Sequence, residues 1–171
     1  MQTTPAAASG PSMALTARVT MIAPVVAVMI KLPTAGFLMW YAVMFTGLLW
    51  VAGYALVVIA VAREMLWSQG SMRFGSRRIR ATLWAWLTSI GVLVFGLTWV
   101  DSGGGPEYTN STLTLLLGRP LPPSAVHDVS TVIACVAAFA WIFGWVALLV
   151  EWVFGSADRA DAMARSEPPT A

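Results

Sequence analysis

Charge is scarce in this sequence. Only 11% of its 171 residues are Asp, Glu, Lys or Arg, while 58% are hydrophobic; an ordinary globular domain carries roughly 25% charged residues. So few ionic groups cannot cover a water-facing surface, which excludes a soluble domain of this length. Cysteine occurs once, as Cys135, so no disulfide forms within the chain and the redox compartment stays unread. The single histidine, His127, cannot supply both axial ligands of a haem or the several ligands of a catalytic zinc. Phosphate-binding and nucleophile motifs are missing as well: there is no G-x-x-x-x-G-K-[ST], G-x-G-x-x-G or G-x-S-x-G, and Gly103-Gly104-Gly105 precedes no helix start. No catalytic residue, cofactor or metal site is therefore expected. The formal net charge of +2 arises from arginines gathered between two hydrophobic blocks, a membrane-topology signal rather than a nucleic-acid footprint.

What the chain does have is long apolar blocks without a period of two or 3.6, the pattern of helices surrounded by lipid or protein on every side. A hydrocarbon core of about 30 Å takes about 20 helical residues to cross. Blocks over residues 37–62, 81–100 and 129–154 meet that length. The first block is shorter, bounded by Arg18 and Lys31 and interrupted by Pro24. Three readings of it stay open: a crossing helix over about 18–35 with Lys31 snorkelling to the headgroups, an interfacial or re-entrant segment broken at Pro24, and a cleaved signal without an A-x-A site. The crossing helix is the expected one. The predicted fold is all-α, a polytopic transmembrane bundle of four helices, three long and one short and proline-containing. Residues 1–17 and 155–171 are expected to be disordered tails, and 63–80 and 101–128 loops.

Orientation follows from the arginines. Arg63, Arg73, Arg77, Arg78 and Arg80 face one acid, Glu64, in the loop 63–80, whereas 101–128 holds only Arg119. Positive loops stay in the cytoplasm, so both termini are expected there. The preponderance of arginine over lysine, nine to one, together with abundant alanine, points to a bacterial plasma membrane. Arg73, Arg77, Arg78 and Arg80 either serve topology alone or bind anionic lipid headgroups or an acidic partner.

Helices in lipid associate through close backbone approach, so small residues mark contact faces. Candidate packing residues are Ala137, Ala140, Gly144 and Ala147 on the last helix, leading to Glu151; Ala85 and Gly96, with Ala81 and Ser89, on the third; and Gly53, with Thr46 and Ala60, on the second. Most tryptophans fall at headgroup level, but Trp50, Trp141 and Trp145 lie deeper and imply packing within the bundle or with a partner. Every acid and base falls near a helix end, which counts against an ion-coupled transporter. Thr46, Tyr54, Thr88, Ser89 and Cys135 are the polar groups that a pathway would use, and His127, Asp101 and Glu107 the groups a weak cation site would use. The expected function is that of an accessory or scaffold subunit binding membrane lipid, other membrane proteins or a second copy of itself, with no nucleic acid. The alternative is a small channel or carrier for an uncharged or amphipathic solute. An enzyme acting on lipid headgroups through Glu64, Glu151 and the arginines is a third class.

Overall fold

The computed structural model describes residues 12–67, 70–73, 75–102, 109–117 and 125–166. It is a helical bundle of α1 (Met13–Lys31), α2 (Phe37–Val61), α3 (Gly75–Thr98) and α5 (Ala125–Ser166), with a small helix α4 (Thr112–Leu116) at one end. Four helical stretches are long and apolar enough to cross a membrane: Met13–Thr34, Phe37–Leu66, Gly75–Thr98 and His127–Arg159. The end of the bundle holding the segment between α2 and α3 is called the arginine end below, and the opposite one the lysine end.

The helices depart from the expected bounds in ways with local causes. α1 begins at Met13 because Ser12 caps it, accepting from the Leu15 amide at 3.2 Å. It also runs unbroken through Pro24. One missing N–H leaves the rest of its ladder intact while neighbouring helices hold its course. α5 continues to Ser166, so part of the expected 155–171 tail is helical. Ion pairs Arg77–Asp158 and Glu64–Arg159 tie that extension to the first turn of α3 and to the segment between α2 and α3. The remaining tail residues, 1–11 and 167–171, lie outside the described residues.

Packing is uneven. α3 sits at the centre, with its broadest contact to α5 and its next broadest to α1. Ala81, Ala85, Ser89 and Gly96 are buried on α3, and Ala134, Ala137, Gly144 and Leu148 on α5. The α5 seam passes between the expected positions, leaving Ala140 and Ala147 half-buried at its flank. The glycines set the approach: a Cβ on Gly144 would lie 2.6 Å from Thr88 Oγ1 and 2.9 Å from the Thr88 amide, and one on Gly91 2.6 Å from the Trp141 amide. α1 supplies a stripe that composition alone did not single out, Ala17, Thr20, Ala23 and Ala27, all buried. Its end packs against Gly96, where an added Cβ would meet the Ala27 carbonyl at 2.8 Å.

α2 stands apart. Its only buried residues are Val57, Ala60 and Val61, near the arginine end, while Met44, Phe45 and Leu48 are 80–89% exposed. Gly53 still touches the bundle, a Cβ there lying 3.1 Å from the Trp145 ring. α2 is thus anchored at its two ends and lightly packed along its middle.

Candidate ligand cavity between the second helix and the bundle

The lysine end is closed by a polar plug. Asp101, buried, accepts from the amides of Gly36, Leu38 and Met39 at 2.9, 3.1 and 3.1 Å. These are the orphan N–H groups of the first turn of α2, and a carboxylate at the positive end of a helix satisfies both their hydrogen bonds and the dipole. Asp101 and Ser102 pair antiparallel with Asn110 and Thr109, which brings Ser111 to cap α4 in a reciprocal box with Thr114. Thr112 Oγ1 then donates to the Ile30 carbonyl at 2.9 Å, and Ser130 Oγ to that of Thr98 at 2.8 Å. The expected loop 101–128 is, over its described residues, a folded cap. Leu115, Leu116 and Leu117 remain exposed on it, and Pro120 to Pro123 lie outside the described residues.

The arginine end is held by ion pairs. Glu64, 1% exposed, sits in a wider π-type turn continuing α2 and accepts from the Ser71 amide and hydroxyl, both at 2.8 Å, and from Arg159. Arg77 pairs with Asp158, and Arg80 contacts Glu151 through two nitrogens, at 2.7 and 3.2 Å. Arg73 donates to the Leu66 carbonyl at 3.2 Å. Of the four arginines singled out in sequence, Arg73, Arg77 and Arg80 therefore make intramolecular contacts, and Arg78 is exposed with no ion pair among the described residues. Glu64 and Glu151 are thus both paired with arginines.

Between these ends the light packing of α2 leaves a cavity of about 510 Å3. This lies within the roughly 300–1,000 Å3 of ordinary ligand sites. Val28 and Pro24 of α1, Trp50 and Gly53 of α2, and Trp141 and Trp145 of α5 are on its wall. The deep tryptophans thus have their place. They belong to a run of rings: Trp50 meets Trp141 edge-on at 5.4 Å, Trp141 lies 5.8 Å from Phe95, and Phe95 stacks on Trp99 at 5.1 Å. Wall residues on both sides of α2 are exposed, Val25 and Val28 on α1 and Ile142 on α5. The cavity therefore opens sideways, on either flank of α2, towards what would be acyl chains.

The hydroxyl groups do not form a polar path. Thr46, Thr88 and Ser89 each donate to the carbonyl four residues earlier, at 2.6–2.8 Å, and Tyr54 donates to the Met21 carbonyl at 2.6 Å. Internal donation of this kind leaves an apolar wall. Cys135 is exposed on the outside of α5. His127 is buried with neither ring nitrogen bonded among the described residues, and no cluster of three potential metal ligands occurs among them. The Asp101 carboxylate is committed to α2, and Glu107 lies outside the described residues.

Lys31 is where sequence reasoning and structure part. Rather than snorkelling outward it turns into the bundle and is 2% exposed. Its ammonium donates to the Trp99 carbonyl at 2.7 Å and sits 5.3 Å from the centre of the Trp99 ring. The carbonyl end of α3 and the face of an indole both carry partial negative charge, so the cation gains more there than an isolated charge in hydrocarbon would. No family model, curated protein or solved structure matches the chain.

Proposed function

We propose that the chain is a multi-pass membrane protein that binds one acyl chain of a membrane amphiphile in the cavity between α2 and the α1–α3–α5 core. The observation that carries this is the lateral opening of an apolar, tryptophan-walled cavity along the middle of a spanning helix. A void of that size in contact with hydrocarbon fills with the solvent at hand, and the solvent is lipid. This is the lipid-binding branch of an accessory role. The carrier alternative loses support because the hydroxyls of Thr46, Tyr54, Thr88 and Ser89 are spent on backbone carbonyls. In this reading the arginine end faces the cytoplasm of a bacterial plasma membrane, by the charge bias of residues 63–80 against 101–128.

The test is to purify the protein in a mild neutral detergent and quantify retained lipid by mass spectrometry, beside Val28→Trp and Gly53→Phe variants that fill the cavity from opposite walls. Wild-type protein is expected to retain about one lipid per chain, and the filled variants well under half of that, at unchanged oligomeric state. Equal lipid in all three would sink the proposal.

A further inference from the structure

The cavity has a cation at one end. Lys31 is on its wall beside Trp99, at the last turn of α1 and just past the end of α3, the level where a spanning helix meets headgroups. A lysine ammonium carries three donors and no acceptor. Among the described residues one donor is taken by the Trp99 carbonyl, and the Trp99 ring faces another side of the charge. No described carboxylate comes within ion-pairing distance of it. Asp101, two residues past Trp99, attracts the ammonium only from beyond ion-pairing distance and commits its oxygens to three amides of α2. A buried ammonium so sparsely bonded is expensive. Lys31 lines the cavity, so an acceptor that enters it can reach the remaining donors.

Taken with the apolar wall, this selects a ligand class. We infer that the occupant is an acyl-chain amphiphile with an anionic head, a carboxylate or a phosphate, whose oxygen accepts from the Lys31 ammonium at the lysine end while its chain lies along Trp50, Trp141 and Trp145. The inference rests on the lipid-binding reading of the cavity and adds the charge of the head. Trp99 acts as a positioning residue: its carbonyl and ring hold the ammonium at the mouth of the cavity instead of letting it extend to water. Arg18, at the other end of α1, is exposed and does not line this cavity.

The test uses wild-type protein in neutral detergent and reads the tryptophan fluorescence that Trp50, Trp99, Trp141 and Trp145 report from the cavity wall. Bromine on an acyl chain quenches it on binding. Four probes of matched chain length are compared: a brominated fatty acid, its methyl ester, a brominated phosphatidylglycerol and the matching diacylglycerol, each competed with its unbrominated form. At least one anionic probe is expected to bind about tenfold or more tightly than its neutral partner, the scale of a charge-assisted hydrogen bond in an apolar site. Preference for the fatty acid identifies a free carboxylate as the source, and preference for phosphatidylglycerol a phospholipid. Lys31→Gln is expected to erase the preference while the ester binds as before, and Lys31→Arg to keep it. If each anionic probe and its neutral partner bind alike, the head-group inference is overturned and the cavity reading survives. If no probe quenches saturably, both fall. Should Lys31→Gln fail to fold, the wild-type comparison decides alone; should it fold less stably yet keep the anionic preference, Lys31 merely holds Trp99 and the inference is wrong.

Discussion

A methyl group added at Gly144 tests the seam between α3 and α5. The Cβ of Gly144→Ala would lie 2.6 Å from Thr88 Oγ1, 2.9 Å from the Thr88 amide and 3.0 Å from the Trp84 carbonyl, where ordinary contact begins at 3.4 Å. Two of those three neighbours are backbone and cannot rotate away. The third, Thr88 Oγ1, can move only by giving up its 2.8 Å bond to the Trp84 carbonyl. The helices must separate by several tenths of an ångström along their closest contact, a form of overpacking that costs about 1–3 kcal/mol. Gly47 is the control, because a Cβ there meets only Val43 at 3.7 Å. Gly47→Ala is expected to stabilise α2 by about 0.5–1 kcal/mol through lost backbone freedom in the unfolded chain. Thermal unfolding in one detergent, followed by circular dichroism, gives the two shifts opposite signs, a few degrees each. Equal stability of Gly144→Ala and wild type, or a loss at Gly47 as large as at Gly144, would refute the packing argument.

Three further outcomes follow from the two ends of the bundle. Asp101→Ala leaves the amides of Gly36, Leu38 and Met39 without their acceptor, a loss of about 1–2 kcal/mol by the measure of helix caps; hydrogen exchange of those amides is expected to quicken, and unchanged protection would count against the plug. Arg159→Ala leaves the buried Glu64 carboxylate with Ser71 alone, at about 1–3 kcal/mol for a deprived buried acceptor, and is expected to expose 156–166 to limited proteolysis. The solvent-exposed pair of Arg77 and Asp158 is the contrast: Arg77→Ala is expected to shift stability by under about 1 kcal/mol, and a larger drop than for Arg159→Ala would reverse the ranking drawn from burial.

Legibility in the sequence varied with the physics involved. The four spans were legible because hydrocarbon imposes length and apolarity residue by residue, and even the short first block keeps that signature up to Lys31. On α3 the small residues Ala81, Ala85 and Gly96 are buried, the kind of position where close approach of helices leaves a mark in sequence. Rotation of the α5 seam by part of a turn was not legible, because Leu148 and Ala147 are both compatible with a helix face until the partner surface is known. Lys31 was misplaced as a snorkelling residue: its inward course depends on the carbonyl and ring of Trp99, 68 residues away in the chain. The cavity itself has no local signal, being the gap left by the distance between α2 and its neighbours. Trp50, Trp141 and Trp145, too deep for the headgroup belt, were its nearest trace.

The central claim is that lipid occupies the space behind α2 instead of only coating the outside of the bundle. Photo-crosslinking tests it most directly, with the protein in bilayers containing a phospholipid that carries a diazirine midway along one chain, followed by peptide mapping. Adducts are expected to concentrate on half-buried cavity-wall residues of different helices, such as Tyr54, Phe95 and Trp145. Adducts confined to the outward residues Leu48 and Phe139, with the wall unlabelled, would contradict it.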